Sequence, residues 1–503
     1  MVLCPVPELW NTAVFLEKSK DLLFRGTTHF LPNVKRYAVS PSYICRQKKS
    51  RKFMKENVKE TLDFGTMEVS RLFRKLFFPT LLGMVFSAVF VITDGIFVGR
   101  GIGSDALAAV NITAPLFLIN TGIGLMFGVG ASVAASIALS RGRERLARAY
   151  ITQSVCVGSL LLVLLWGIVL CFAPQVARFF GSSERLLPLA LEYMHWFLPF
   201  FVFSALLNSG MFFVRLDGSP RYAMLCNVVP ALINIALDYW FIFGLGWGMM
   251  GAALATSLGY ILGALMIVSY LLRPDITLRL MSLQRTRSGW RQLYRHTRTI
   301  MRLGLSSFLC EAAIATMMFV GNYVFMHYLH EDGVAAFSIA CYFFPIIFMV
   351  YNAIAQSAQP ILSYNHGCGA RGRVHQALRQ ALITAVAAGA LCLAVTALFS
   401  PQIVRWFLEP HYPAYALAVE GLPLFACGFV FFGVNIVSIG YFQSLERDRM
   451  ALLITLLRGF VFIVLCFGLL PLWLGAAGIW LAVPMAELLT FLFLVTVYCR
   501  REK

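Results

Sequence analysis

Asp105-Ala-Leu-Ala-Ala-Val-Asn-Ile112 returns 227 residues later as Asp332-Gly-Val-Ala-Ala-Phe-Ser-Ile339. The Asp, both matching Ala residues and the Ile stay in register, and each octapeptide opens a long apolar run. The same offset carries Gly142 to Gly369, Gly248 to Gly475 and Gly251 to Gly478, and it brings Glu192 within one residue of Glu420. A series in register marks a duplicated half-chain. Each half holds six apolar stretches long enough to cross roughly 30 Å of hydrocarbon. Their limits are near 76–99, 106–138, 150–173, 188–214, 221–244 and 248–272, then 302–328, 334–361, 378–399, 413–441, 450–471 and 475–498. Six is even, so the halves enter the membrane in the same sense and are related by a pseudo-two-fold axis along its normal. Parallel repeats of this kind place a substrate site between the lobes.

The expected fold is an all-α polytopic membrane protein, with twelve transmembrane helices in two six-helix lobes. Its expected divisions are a basic N-terminal tail (1–66), an N-lobe (67–272), a basic linker (273–301), a C-lobe (302–498) and a short tail (499–503). Pro79, Pro115, Pro199, Pro230, Pro345 and Pro360 fall inside the spans. Membrane helices tolerate such breaks where neighbours re-satisfy the freed backbone groups.

Composition agrees. Of the 503 residues, 59% are hydrophobic and only 13% charged, against about a quarter charged in soluble chains. The mean hydropathy is +0.75. So few charges cannot cover a water-facing surface. The net charge of +18 sits between the apolar runs and not on one folded face, so it sets orientation and argues against nucleic-acid binding. Loops after even-numbered spans, counted with the span-opening Arg221 and Arg302 and with the C-terminal tail, carry 21 Lys and Arg, and loops after odd-numbered spans carry 4. Both termini are therefore expected in the cytoplasm. The linker holds seven Arg and one acid, Asp275, the pattern of a segment lying on anionic headgroups.

The twelve Cys are scattered, with no CxxC or Cys/His ligand spacing. They read as small buried apolar residues. Residues 1–66 hold eight of the ten Lys and no run long enough for a signal core or a span. Met54 opens a second start-like stretch, so residues 1–53 are expected to be a disordered basic tail or an artefact of start-codon choice.

TDGIFVG at 93–99, DALAAVNI at 105–112, FVRLDGSPRYAM at 213–224, NIALDYWFIFG at 234–244 and YNHGCGARGRVHQAL at 364–378 occur in this order. Together they resemble the MATE (multidrug and toxic compound extrusion) family, especially the bacterial DinF and MepA-like exporters, over about 67–498. The resemblance implies a V-shaped antiporter in the bacterial inner membrane. It would export amphipathic, often cationic, compounds against Na⁺ or H⁺ entry.

Ionisable residues deep in a membrane cost about 2.5–3.5 kcal/mol on insertion scales and need a reason. Asp94 and Asp238 are deep acids of the first half. Asn234 stands one turn before Asp238, and Ala252 and Thr256 are likewise one turn apart. Two carboxylates, an amide, a hydroxyl and the Ala252 carbonyl make an oxygen-rich set suited to a hard cation. The rival reading is helix–helix hydrogen bonding alone, and the repeat tests it. The offset partners are Gly321, Val461, Leu465, Ile479 and Val483, none ionisable. A scaffold role would be expected in both halves, whereas an ion site needs only one.

In the second half, Glu311 is a candidate for substrate or cation contact by resemblance, with a bond to a neighbouring helix as the alternative. Asn435 stands where some relatives have an acid, which weakens a second coupling site. Tyr239 and Met317 could line a cavity or pack ordinarily. Arg458 and Glu487 read as a structural ion pair, while Glu192, Arg215 and Glu420 read as residues that snorkel to the interface.

His327-x4-Asp332 has the spacing of some acyltransferases, but its repeat partner lacks the His, and helix capping explains the Asp. No HExxH, GxSxG or phosphate loop with Lys is present. An embedded enzyme is thus disfavoured, and a lipid-linked-precursor flippase of the same superfamily is the nearer alternative. The expected protein is a monomer without cofactor, taking Na⁺ or H⁺ as coupling ion and no metal beyond Na⁺.

Overall fold

The computed structural model describes residues 62–282 and 287–499. Residues 1–53, expected to be a disordered tail or start-site artefact, lie outside them, and of the basic tail 1–66 only residues 62–66 are described.

Lipid offers the backbone no hydrogen-bond partners, so apolar spans must satisfy their own amides, and every regular element among the described residues is helical. The first half runs α1 (Val69–Gly101), α2 (Ser104–Ser140), α3 (Glu144–Cys171) and a short α4 (Ala173–Phe179). Then α5 (Leu187–Phe197) and α6 (Phe201–Leu216) form one crossing, joined by a 3₁₀ turn at Pro199. The half ends with α7 (Pro220–Asp238), continued by a π-helical turn (Tyr239–Gly244), and α8 (Gly248–Leu271).

The second half runs α9 (Arg287–Gly367), α10 (Arg371–Arg405), α11 (Pro413–Ala426), α12 (Phe429–Ser444), α13 (Asp448–Leu456) and α14 (Phe462–Cys499). An 81-residue helix would be about 120 Å long at 1.5 Å per residue, four times the hydrocarbon thickness. Accordingly α9 breaks at His330 and the α13–α14 segment breaks at Gly475. With α11 and α12 as one span bent by 44°, the crossings among the described residues number twelve.

The breaks obey the repeat. Gly248 and Gly475 both take positive φ, 53° and 56°. His330, at φ 55°, is the offset partner of Gly103 at φ 130°. Only glycine adopts such angles readily, so His330 is the strained copy. Asp105 falls in the first turn of α2 without a capping hydrogen bond, and instead pairs with Arg185 at 2.6 Å.

Each lobe has its own apolar core, and α1 belongs to both. Leu72, Phe73 and Leu76 pack in the C-lobe core, whereas Val98, at the other end, packs in the N-lobe core. Residues 62–66 extend this attachment. The Phe64 carbonyl accepts hydrogen bonds from Asn365 (3.0 Å) and Arg373 (3.1 Å), and Arg373 also donates to the Met67 carbonyl at 2.6 Å. Burial alone would raise the Asp63 carboxyl, but bonds from the Thr66 hydroxyl and the Gly65 amide hold it below its usual range.

The lobes meet along α2 and α9. Gln359 donates to the Ser132 hydroxyl at 3.2 Å, and these residues are 227 positions apart. Repeat-equivalent residues that touch must straddle the pseudo-two-fold axis, and Ser140 against Gly367 does the same. Gly130 lies on the Ile300 carbonyl and Gly304 on the Met126 carbonyl, so a Cβ at either would collide with backbone. Overpacking of this kind costs about 1–3 kcal/mol, or at least about fivefold in population. Gly130→Val and Gly304→Val should therefore each lower the cross-linking yield between cysteines placed at 132 and 359, in a background without native Cys. Unchanged yields would mean that these glycines do not govern lobe contact.

The linker is also tied to protein. Its first part straps the Arg-rich face of the N-lobe, and from Arg287 onward it is helix α9. The Leu278 amide donates to Asp217 Oδ1 (3.0 Å), the Met281 amide to Thr152 Oγ1 (3.1 Å), and Arg148 Nε to the Thr277 carbonyl (2.7 Å). Burial pushes the Asp217 carboxyl up, against the opposing effect of the Tyr270 hydroxyl at 2.8 Å and the Leu278 amide.

Candidate functional site

Three elements of the N-lobe converge on one cluster of oxygens. The last turns of α1 carry Asp94, the end of α7 carries Asn234 and Asp238, and α8 carries Ala252 and Thr256. Close approach of α7 to α8 needs the missing side chain at Gly259, where a Cβ would stand 3.3 Å from that of Asn234. Asn234 and Asp238 then share an inward face, as their one-turn spacing requires.

Thr256 Oγ1 donates to Asp94 Oδ1 at 3.3 Å and accepts from Asn234 Nδ2 at 3.5 Å. Asn234, Asp238 and Ala252 are fully buried, Thr256 nearly so, and Asp94 partly. The Asp94 and Asp238 carboxyls adjoin closely enough to interact directly. Yet among the described residues neither oxygen of Asp238, nor Oδ1 of Asn234, makes a hydrogen bond of ordinary geometry, although the Asn234 side chain lies near enough to act on Asp238. A buried carboxylate without a donor is costly and is relieved only by a proton or a cation. The donor set of carboxylates, amide and hydroxyl oxygens fits either.

Tyr193 and Tyr260 stand within electrostatic reach of Asp94 and were not singled out from sequence. One-turn spacing from Thr256 on α8 is a signal that could have found Tyr260, whereas Tyr193 stands on α5, which periodicity does not connect to the cluster. Tyr260 also packs on Phe90, Phe117 and Phe197, so one side of the cluster is aromatic. Tyr239, although adjacent to Asp238, points away. It is 63% exposed and packs on Phe97 and Phe243.

The C-lobe centre is built differently. Arg458 Nε donates to Glu487 Oε1 at 2.6 Å, Asn435 Nδ2 donates to Glu487 Oε2 at 2.7 Å, and the guanidinium lies 4.4 Å from the Phe432 ring centroid. All three polar residues are buried. Asn435 thus serves the ion pair, and Met317 packs beside it in the core. The positive charge is matched here, in contrast to the N-lobe.

Between the lobes is a cavity of about 50 Å³, lined by Glu311, Gln356, Gln359, Phe212, Phe348 and Gln443 among others. Arg215 corrects the expectation of snorkelling. It is 4% exposed, points inward and donates from Nη2 to Gln356 Oε1 of the other lobe at 2.8 Å. A partner at hydrogen-bond distance outcompetes the interface even for a residue in the last turn of its helix. Glu192 stays exposed, where it accepts from the Met250 amide at 3.3 Å, and Glu420 is exposed as well.

A family profile described as MatE matches residues 79–240 and again residues 306–467. The two matches are displaced by 227 residues, the offset of the repeat. Among curated relatives, the FAD transporter of Shewanella oneidensis is 25% identical over 442 residues, which is 84% of this chain and 92% of that protein. The multidrug export protein MepA of Staphylococcus saprophyticus is 23% identical over 432 residues, with the same shares. Among solved structures, an outward-facing multidrug resistance MATE family transporter of the MOP superfamily superposes with a TM-score of 0.77 at 23% identity, covering 87% of this chain and 97% of that one. A MOP superfamily transporter from Pyrococcus furiosus gives 0.79 at 22% identity over the same shares.

Proposed function

The chain belongs to the MATE family of membrane transporters, and on that premise we propose that it is a secondary antiporter exporting amphipathic cations in exchange for Na⁺ or H⁺. The observation that carries the reading is Asp238, fully buried beside Asp94 with neither of its oxygens hydrogen-bonded at ordinary geometry, in one half of a duplicated chain. Coupling needs a site whose occupancy differs between two arrangements of the lobes. Asp94 lies on α1, whose other end packs in the opposite lobe, so an ion bound there acts on a helix that both lobes hold. The Arg-rich face, with both termini, is assigned to the cytoplasm, and the transporter to the bacterial inner membrane as a monomer.

The substrate class rests on the space between the lobes. A cavity of about 50 Å³ is far below the roughly 300–1,000 Å³ of drug-sized sites. Substrate must therefore enter when the lobes separate, by alternating access. Phe212, Phe348 and Ile436 supply apolar surface there, and the Glu311 carboxylate favours a cation. The FAD transporter relative gives a second class, an anionic aromatic dinucleotide. Counterflow in proteoliposomes with ethidium and with FAD separates them. Ethidium exchange without FAD exchange is expected, and the reverse would replace the proposed substrate class. Scrambling of labelled lipid without either would point to the flippase alternative.

A further inference from the structure

A cavity of about 480 Å³ lies away from both lobe centres, where the linker strap crosses the Arg-rich face of the N-lobe. Arg145 and Arg148 enter it from the first turns of α3, Arg279 from the strap, and Leu272, Leu280 and Met281 form an apolar side. Arg148 is committed to structure, through Glu144 (3.5 Å) and the Thr277 carbonyl. Arg145 and Arg279 are exposed, and no carboxylate among the described residues pairs with either. The strap is held in place independently of any ligand by bonds from Leu278, Leu280 and Met281 amides to Asp217, Leu271 and Thr152. A preformed pocket with free guanidinium groups on one side and aliphatic chains on the other matches one chemistry, a phosphate ester attached to something apolar.

We propose that this pocket binds an anionic phosphate ester, with the headgroup of an anionic phospholipid as its membrane source. Its level at the end of α8 puts the arginines beside headgroups and Leu272 and Met281 beside acyl chains. A bound lipid would then clamp the linker that joins the two lobes.

The test uses the full chain. Native mass spectrometry of detergent-purified protein, titrated with cardiolipin, phosphatidylglycerol or phosphatidylcholine, reads retained lipid. Each basic side chain near a membrane surface contributes about fivefold, so Arg145→Gln with Arg279→Gln should cut anionic-lipid retention about thirtyfold. The charge-matched control, Arg371→Gln with Arg379→Gln on the other lobe, should leave it within about twofold. In a second arm, pyrophosphate is added without lipid and thermal unfolding is followed. Stabilisation lost only in the pocket variant supports the same site filled by a soluble phosphate ester. Equal losses in both double variants, or neither lipid preference nor pyrophosphate response in the wild-type chain, overturn the proposal.

Discussion

Asp238→Asn should abolish gradient-driven export while the protein still inserts and folds. The substitution keeps the shape of the side chain and removes one negative charge. A cation about 4 Å from that charge loses about 4 kcal/mol at an effective dielectric of 20, equivalent to roughly three orders of magnitude in affinity. Neither oxygen of Asp238 makes a hydrogen bond of ordinary geometry among the described residues, so folding should suffer less than it would for a hydrogen-bonded carboxylate. Asp94→Asn should act in the same direction, with an added effect from the Thr256 hydroxyl that donates to it at 3.3 Å. Thr256→Ala should weaken Na⁺ dependence more than proton dependence, because a proton needs no hydroxyl ligand. Vesicle efflux with matched protein levels measures all three. Normal Na⁺- and proton-driven export in both Asp variants would remove the N-lobe cluster from the mechanism and direct attention to Glu311.

The C-lobe should show the opposite behaviour, with large effects on stability. Glu487→Gln leaves the Arg458 guanidinium buried and uncompensated, and breaking a buried pair in this way costs about 3–5 kcal/mol. Arg458→Met strands the carboxylate and should cost as much. The double variant carries no buried charge. Asn435 can still donate to the amide oxygen introduced on α14, and the introduced thioether chain can still pack on Phe432, so most of the loss should be recovered. Monodisperse protein surviving a heat step, assayed by size exclusion, gives the comparison. A double variant no better than the worse single one would mean that the two residues are not partners.

The two-lobed plan was legible because duplication leaves a constant offset, and left-handed glycines at Gly142/Gly369 and Gly248/Gly475 preserve it in the backbone. The residues of the acid cluster were legible in part. One-turn spacing pairs Asn234 with Asp238 and Ala252 with Thr256, since it concerns a single helix. The bond from Thr256 to Asp94 spans 162 residues, and periodicity reports only which face a residue occupies, never the helix opposite. The same limit hid Tyr193, on α5, whereas Tyr260 stands one turn beyond Thr256 on α8 and was within reach of the spacing. The limit also misdirected Arg215, whose partner Gln356 is 141 residues away. The double allegiance of α1 was not readable either, because an apolar pattern tells which residues are buried and not in which of two cores.

Coupling itself is tested most directly by the purified wild-type chain in sealed vesicles loaded with an amphipathic cation, under Na⁺ and proton gradients imposed one at a time. The account predicts movement of the cation against its own concentration gradient with at least one of the two, and cessation when that gradient is collapsed by its ionophore. Transport that only equilibrates the cation, at the same rate with either gradient or none, would contradict it.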